Sequence, residues 1–273
     1  MSELINTKSN ISESSQSEQN SESASRRKFS KVLKNLWNAF LKTLFPPKVA
    51  CDSCGLELVA DTRYNLCSSC IEKLPFNNGK VCAVCGTPID DEADYCIRCQ
   101  NTESSFEKNR SPLVYQAETA KLILSLKFGG KKYLVDTLSA LMADTFIDNR
   151  LIADVLVYVP MTNLERKKRG FNQSELLAVE IGKRLEIPVC KGLLKVKETS
   201  LQKELSAKER AENLAGAFLA VPEFVKGQSI VLIDDVFTTG STANECAKAL
   251  LKARAKRVNV LTAAVTKQRI FME

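Results

Sequence analysis

From residue 113 onward the apolar positions follow two rhythms in turn: short runs in which almost every residue is apolar, and longer stretches spaced at i, i+3, i+4 and i+7. The pattern predicts a strand over 113–117, then a helix over 118–128 stopped by Gly129 and Gly130, and a second helix over 135–146. A short apolar strand over 154–159, a basic loop and a helix over 172–185 come next. Weaker strands are expected over 193–196 and 217–221, around a charged, helix-prone segment. The run over 229–233 is the strongest buried strand, followed by two aspartates, a Thr-rich turn, a helix from Thr242 to about Ala255 and a last strand over 258–265. Such alternation predicts the α/β class, with a mainly parallel sheet covered by helices on both faces.

The N-terminal pattern differs. Residues 1–25 hold nine serines and almost no apolar residue, too little hydrophobic surface to offset chain entropy, and a disordered tail is expected. Phe29, Val32, Leu33, Leu36, Trp37 and Phe40 open a single helical stripe that runs to Phe45 and stops at Pro46 and Pro47. The expected organisation is a tail over 1–25, a basic amphipathic helix over 26–48, a cysteine module over 49–103 and the α/β domain over 104–273.

Charge is concentrated in that helix. The net charge is +7, and Arg26, Arg27, Lys28, Lys31, Lys34, Lys42 and Lys48 supply all of it in a stretch without an acid. Three uses are open: packing of the stripe on the rest of the protein, contact with an acidic membrane surface, and contact with nucleic-acid phosphates. Lys34 and Lys42 interrupt the longest apolar stretch, which falls short of the roughly 20 residues a spanning helix needs. No secretory pattern opens the chain, so a cytoplasmic protein is expected, with peripheral membrane contact open.

Eight of the ten cysteines form four Cys-x-x-Cys pairs in two copies: Cys51, Cys54, Cys67 and Cys70, then Cys82, Cys85, Cys96 and Cys99. Twelve residues separate the pairs of the first copy and ten those of the second. Gly55 and Gly86 follow the second cysteine of each, where a knuckle wrapping its own metal favours positive φ. Four thiolates suit tetrahedral zinc, and a chain without histidine must build such a site from cysteine alone. Closed four-thiolate sites leave no position for water, which makes two structural zinc ions the expectation. Sequential pairing is the default, and an interleaved one stays open. Two such sites would lower the net charge to about +3. Cys190 and Cys246 read as ordinary buried thiols.

The most specific stretch is 230–242, in which an apolar strand delivers Asp234 and Asp235 to a turn made of Thr238, Thr239, Gly240, Ser241 and Thr242. Ligands of open α/β sheets bind at that edge, and exposed N–H groups at a helix N-terminus favour a phosphate. Two carboxylates accept hydrogen bonds from a vicinal diol, so the stretch reads as a ribose 5-phosphate clamp. A Walker-type hydrolase is disfavoured, because no Gly-x-x-x-x-Gly-Lys-Ser/Thr loop occurs. The basic loop 160–173 carries Arg166, Lys167, Lys168 and Arg169, which suits pyrophosphate; a solvated loop or a nucleic-acid patch is the competing reading.

The stretch 230–242 resembles the binding motif of type I phosphoribosyltransferases. The wider layout resembles the ComF family, on Leu44-Phe-Pro-Pro before the first cysteine pair, the four knuckles, Leu126-Lys-Phe-Gly-Gly130, Arg166 with Arg169-Gly-Phe-Asn-Gln173, Gln202 with Leu205, Arg210 with Asn213-Leu, Gly216-Ala-Phe218 and 231–242. That resemblance implies a type I phosphoribosyltransferase-like domain behind a double zinc ribbon. It implies binding of phosphoribosyl pyrophosphate with magnesium by Asp234, Asp235, the 238–242 turn, Arg166, Arg169 and Lys197, the two aspartates being the catalytic candidates. Lys197 stands where similar sequences carry arginine, which keeps the charge and loses a bidentate fork. The role implied is DNA uptake in natural transformation, beside single-stranded DNA and the uptake machinery at the inner face of the membrane. A phosphoribosyltransferase of nucleotide salvage with a small-molecule acceptor is the alternative.

Overall fold

The computed structural model describes residues 50–58, 62–90, 92–197 and 213–267. The expected tail and basic helix lie outside the described residues, as do Gln202, Leu205 and Arg210. The chain divides into Met1–Val49 and Ala50–Glu273, and the account that follows concerns the second unit.

A parallel sheet forms its centre. Strands β1 (Asn109–Arg110) and β2 (Leu113–Val114) lie in succession along β8 (Arg257–Val265), and the order continues through β7 (Ser229–Phe237) and β3 (Val155–Tyr158) to β4 (Val189–Cys190). Every pairing is parallel, with Val155 to Tyr158 in register with Ile230 to Ile233, and Ile230 to Ile233 in register with Val258 to Leu261. An antiparallel pair, β5 (Leu193–Lys195) with β6 (Phe218–Ala220), stands apart from this sheet.

The central strand shows why the run 229–233 is apolar throughout. Its side chains alternate between faces, and both faces are covered. Val231 and Ile233 join a core with Leu156, Leu177, Ile181 and Leu138; Ile230 and Leu232 join another with Val157, Val260, Cys246 and Leu250. Residues 230 to 233 have no exposed surface, and full burial of each such side chain contributes about 1.5–3 kcal/mol.

Eight helices lie wholly within the described residues. Helices α1 (Ser68–Glu72) and α2 (Ile97–Asn101) belong to the cysteine module. Helices α3 (Ala117–Phe128), α4 (Leu134–Asp148) and α6 (Gln173–Leu185) cover one face of the sheet. Helix α8 (Ser241–Lys252), the β5–β6 pair and the short α7 (Pro222–Val225) cover the other. The α/β class with a parallel sheet and a cysteine module ahead of it is as the pattern predicts.

Several details differ. The expected basic loop contains a helix, α5 (Asn163–Arg169), made by a capping box in which the Thr162 hydroxyl accepts from the Glu165 N–H and the Glu165 carboxylate from the Thr162 N–H; Gly170, at φ 84°, ends it. The strand expected over 113–117 shrinks to β2, and β1 and β4 carry too few residues to leave a periodic trace. Strand β7 runs past Ile233 to Phe237, so both aspartates sit inside it, because β8 continues to pair with it as far as Val265.

The two cysteine copies share one backbone geometry. Gly55 and Gly86 adopt φ 77° and 70°, and their N–H groups donate to the Cys51 and Cys82 carbonyls. The residue before each first cysteine bridges across the knuckle, Ala50 with Glu57 and Val81 with Pro88. Each third cysteine, Cys67 or Cys96, is the N-cap of a one-turn helix that carries the fourth.

Candidate functional site

The ligand atoms of Cys51, Cys54, Cys67 and Cys70 lie within 4.8 Å of one another, and so do those of Cys82, Cys85, Cys96 and Cys99. Pairing is therefore sequential and not interleaved. Sulfur separations of 3.7 Å for Cys54–Cys67 and 3.5 Å for Cys85–Cys96 approach the edge of about 3.8 Å that a tetrahedron with Zn–S bonds of about 2.3 Å requires. Both tetrads fit structural zinc. Burial opposes ionisation of Cys51, but the N–H groups of Cys54, Cys67 and Ser53 outweigh it and bring the thiol down to about 6. Cys82 repeats this: against burial, the N–H groups of Cys96, Cys85 and Val84 bring it to about 7. In both copies the backbone N–H groups around the first cysteine favour its thiolate, the form that binds metal.

The second centre is the C-terminal end of β7. Asp234 is half-buried and Asp235 buried. The Ser174 hydroxyl donates to Asp234 Oδ1 at 2.8 Å, and the Asp235 N–H donates to the same oxygen at 2.9 Å. Lys127, in the last turn of α3, donates to Asp235 Oδ1 at 2.8 Å, with both side chains largely buried. Burial and the neighbouring Asp235 carboxylate push Asp234 up to about 7, while Lys127, Ser174 and the Asp235 N–H pull the other way. Asn172 places Ser174: its side chain caps α6 by accepting from the Ser174 N–H and donates to the Val159 carbonyl at the end of β3.

Beyond Phe237 the chain turns through Thr238 and Thr239 to Gly240, whose φ of 81° starts α8. No side chain could replace this glycine, since a Cβ there would lie 2.6 Å from the Phe237 ring as well as strain the backbone. The Thr239 and Ser241 hydroxyls lie 2.9 Å apart, the Ser241 N–H reaches the Thr239 hydroxyl at 3.4 Å, and the N-cap Gly240 has no side chain to cover the next N–H groups of the helix. The turn therefore offers backbone donors and hydroxyls to an anion, with the helix dipole behind them.

The structure brings together Asp234, Asp235 and the 238–242 turn, and adds Lys127 and Ser174. Motif spacing did not give either a role; Lys127 sits in the quoted Leu126–Gly130 stretch and Ser174 directly after Arg169–Gln173. The other expected cations stand apart: none of Arg166, Arg169 and Lys197 hydrogen-bonds or ion-pairs with either aspartate. Arg166 pairs with Glu175 at 3.0 Å. Arg169 donates to Gln173 at 3.2 Å and lies over the Phe128 ring, 5.2 Å from its centroid. Lys197 donates to the Ala215 carbonyl at 2.8 Å, near Gly216, whose N–H donates to Glu245 on α8.

Strand order and two four-cysteine knuckles define the class: a parallel-sheet α/β protein with a double zinc ribbon. The double zinc ribbon domain family matches residues 40–100. Competence protein F of Haemophilus influenzae is 33% identical over 207 residues, 71% of this chain and 88% of that protein. DNA utilization protein YhgH of Escherichia coli K12 is 31% identical over 204 residues, 72% of this chain and 88% of that protein. The chain belongs to the ComF family, the family of competence protein F. Among solved structures, the allosteric regulatory enzyme of purine biosynthesis overlaps 48% of this chain at 21% identity with a TM-score of 0.34. The overlap spans about a quarter of that enzyme, 26% of its length. No described helix is long and apolar enough to cross a membrane.

Proposed function

We propose that this protein binds phosphoribosyl pyrophosphate with magnesium at the C-terminal edge of its sheet and acts in DNA uptake, handling single-stranded DNA. Asp234 and Asp235 accept from the ribose diol, and the N–H groups and hydroxyls of 239–242 hold the 5-phosphate. Arg166, Arg169 and Lys197 are the cations for the pyrophosphate, moving onto it from the partners they hold without ligand. Magnesium arrives with the sugar phosphate and offsets the charge of its pyrophosphate. Where an acceptor attacks C1 of the ribose, the C1–O bond breaks and its electron pair leaves with pyrophosphate. A departing group of that kind needs no histidine, and the chain has none.

One observation carries the reading. Lys127 and Phe128 are consecutive: the first pairs with Asp235, and the second, 71% exposed, lies beneath Arg169. A cationic and aromatic surface therefore starts one residue from the acidic clamp. Lys131, Lys132, Lys167 and Lys168 extend it, with Tyr133 exposed among them, and no carboxylate among the described residues pairs with these four lysines. Bases stacked on rings and phosphates among lysines are how single strands bind without sequence preference. Contact with uptake proteins at the inner face of the membrane belongs to the same reading, through residues 26–48; deletion of 1–47 without loss of partner or membrane binding would remove it.

The test is titration of a labelled single-stranded oligonucleotide with zinc-loaded protein, with and without the sugar phosphate and magnesium, for wild type and the Asp234→Asn, Asp235→Asn double variant. The expected result is that the sugar phosphate shifts strand affinity in wild type and not in the variant. Absence of strand binding at low salt overturns the DNA half and leaves the clamp to a small-molecule acceptor.

A further inference from the structure

The second ribbon and the residues just after it approach the turn at four places. Arg98 stands on α2 between Cys96 and Cys99, and its guanidinium donates to the Thr238 carbonyl at 3.0 Å while lying 5.7 Å from the centroid of the Phe237 ring. Phe106, just beyond the ribbon, meets the same ring edge-on, with centroids 5.8 Å apart and planes at 84°. The Ser105 N–H donates at 2.7 Å to Asn244, whose own N–H donates to the Gly240 carbonyl. From the other end of the ribbon, Thr87 donates to the Thr266 carbonyl at 2.8 Å, and the Thr266 N–H donates to the Phe237 carbonyl at 3.0 Å.

Phe237 is the hinge of this arrangement. Its ring is 3% exposed and fills the space under Gly240, where a Cβ would collide with it. Arg98 and Phe106 hold that ring, so the ribbon holds the floor of the turn. A cavity of about 320 Å³ lies between the two, lined by Cys99, Arg98 and Phe106 on the ribbon side and by Gly240, Ser241 and Asn244 on the other. Among the described residues, the first ribbon makes none of these contacts. Its Arg63 and Tyr64 bond to Asp144 on α4, on the opposite face of the sheet.

We propose that Arg98 is a positioning residue for the phosphate turn, through which metal loading of the second ribbon keeps Phe237 to Gly240 in the shape that receives a phosphate. Cys96 and Cys99 fix the one-turn helix that carries Arg98 when they hold zinc, and Arg98 transmits that order to the Thr238 carbonyl and the Phe237 ring. The ligand half of the inference rests on the proposed binding of the sugar phosphate; the coupling of ribbon to turn does not.

The experiment compares the zinc-loaded full chain as wild type, Arg98→Ala, Arg98→Lys and, as a control in the first ribbon, Arg63→Ala. Three quantities are read: zinc per chain, amide hydrogen exchange of 237–243 without ligand, and affinity for phosphoribosyl pyrophosphate with magnesium. Arg98→Ala keeps both zinc ions, speeds exchange in the turn about tenfold and weakens the ligand several-fold, because local opening sets both. Arg98→Lys, which keeps a charged donor and loses the guanidinium beside Phe237, falls between. Arg63→Ala changes neither. Should Arg98→Ala lose zinc, Phe106→Leu removes the ring edge without touching a cysteine and speeds exchange in the same segment. Unchanged exchange in a zinc-retaining Arg98→Ala, or in Phe106→Leu, overturns the coupling. Faster exchange in a protein whose wild type ignores the sugar phosphate upholds the coupling and defeats the ligand assignment instead.

Discussion

The two ribbons are copies in sequence and in backbone, yet they do different work. The first contributes Cys51, Leu66 and Leu74 to the core under α3, α4 and α6; the second contributes Cys82, Cys85 and Cys96 to the core on the other face, beside α8. The first grips α4 through polar contacts: the Thr137 hydroxyl lies 2.6 Å from the Asp52 carboxylate and 2.8 Å from the Tyr64 carbonyl, and Asn65 donates to Asp136. The second grips the turn that ends β7. A duplicated module thus clamps the sheet from both sides, and among the described residues it is the second copy that contacts the turn after β7. Duplication repeats what a ribbon is, while each docking face decides what it acts on.

The largest effect expected is from loss of a ligand cysteine in the second ribbon. Cys85→Ser should cost about 4 kcal/mol, the scale for losing a metal within a core, and should abolish sugar-phosphate binding. Cys54 is exposed, so Cys54→Ser should cost roughly half as much and leave the turn ordered. Denaturant unfolding with zinc counting checks both, and equal effects on ligand binding would erase the contrast between the ribbons.

Next comes the clamp itself. Lys127→Met should cost about 3 kcal/mol, because it leaves the Asp235 carboxylate largely buried without its partner. The pH dependence follows from Asp234. Its folded value is raised to about 7 by burial and by Asp235, so its contribution to stability is present in full below the unfolded value of about 3.9 and is lost as pH rises through 7. Thermal unfolding of wild type against Asp234→Asn between pH 5 and pH 8 should therefore shift in favour of the variant as pH rises. Ligand binding moves the opposite way, weakening below pH 7 as the carboxylate that accepts from the diol becomes protonated.

A smaller effect is expected on the first ribbon's side. Thr137→Val should cost about 1.5 kcal/mol, since it removes the buried hydroxyl whose one proton lies between the Asp52 carboxylate and the Tyr64 carbonyl, and should not alter exchange of the turn. The smallest is on the cationic surface. Changing Lys131, Lys132, Lys167 and Lys168 to Gln should leave stability within experimental error. It should flatten the salt dependence of strand binding by about 0.7 in log–log slope for each lost phosphate contact.

Much of this was legible along the chain, for local reasons. Cysteine spacing reported both tetrads because a knuckle is built within about twenty residues, and the positive φ at Gly55 and Gly86 was legible for the same reason. The apolar run before Asp234 and the small residues after it reported strand, turn and helix in order. What misled was also local. Capping by Thr162 and Glu165 turned an expected loop into α5, a signal that lay in the sequence as Thr-x-x-Glu among distracting positive charge. The length of β7 depended on how far its neighbour β8 ran.

By itself, then, the sequence determined the class of the fold, the two cysteine tetrads and the acidic strand leading through a turn of small residues into a helix, since each is written within a few turns of chain. Only the tertiary structure decided that Lys127 meets Asp235 across 108 residues, that Ser174 meets Asp234 across 60, and that the second ribbon, not the first, lies against Phe237. The reason is physical. Local spacing records which groups can share a metal or a helix end, whereas long-range partners are chosen by which side of the sheet each apolar surface can bury itself against, and that choice is made by the whole fold at once.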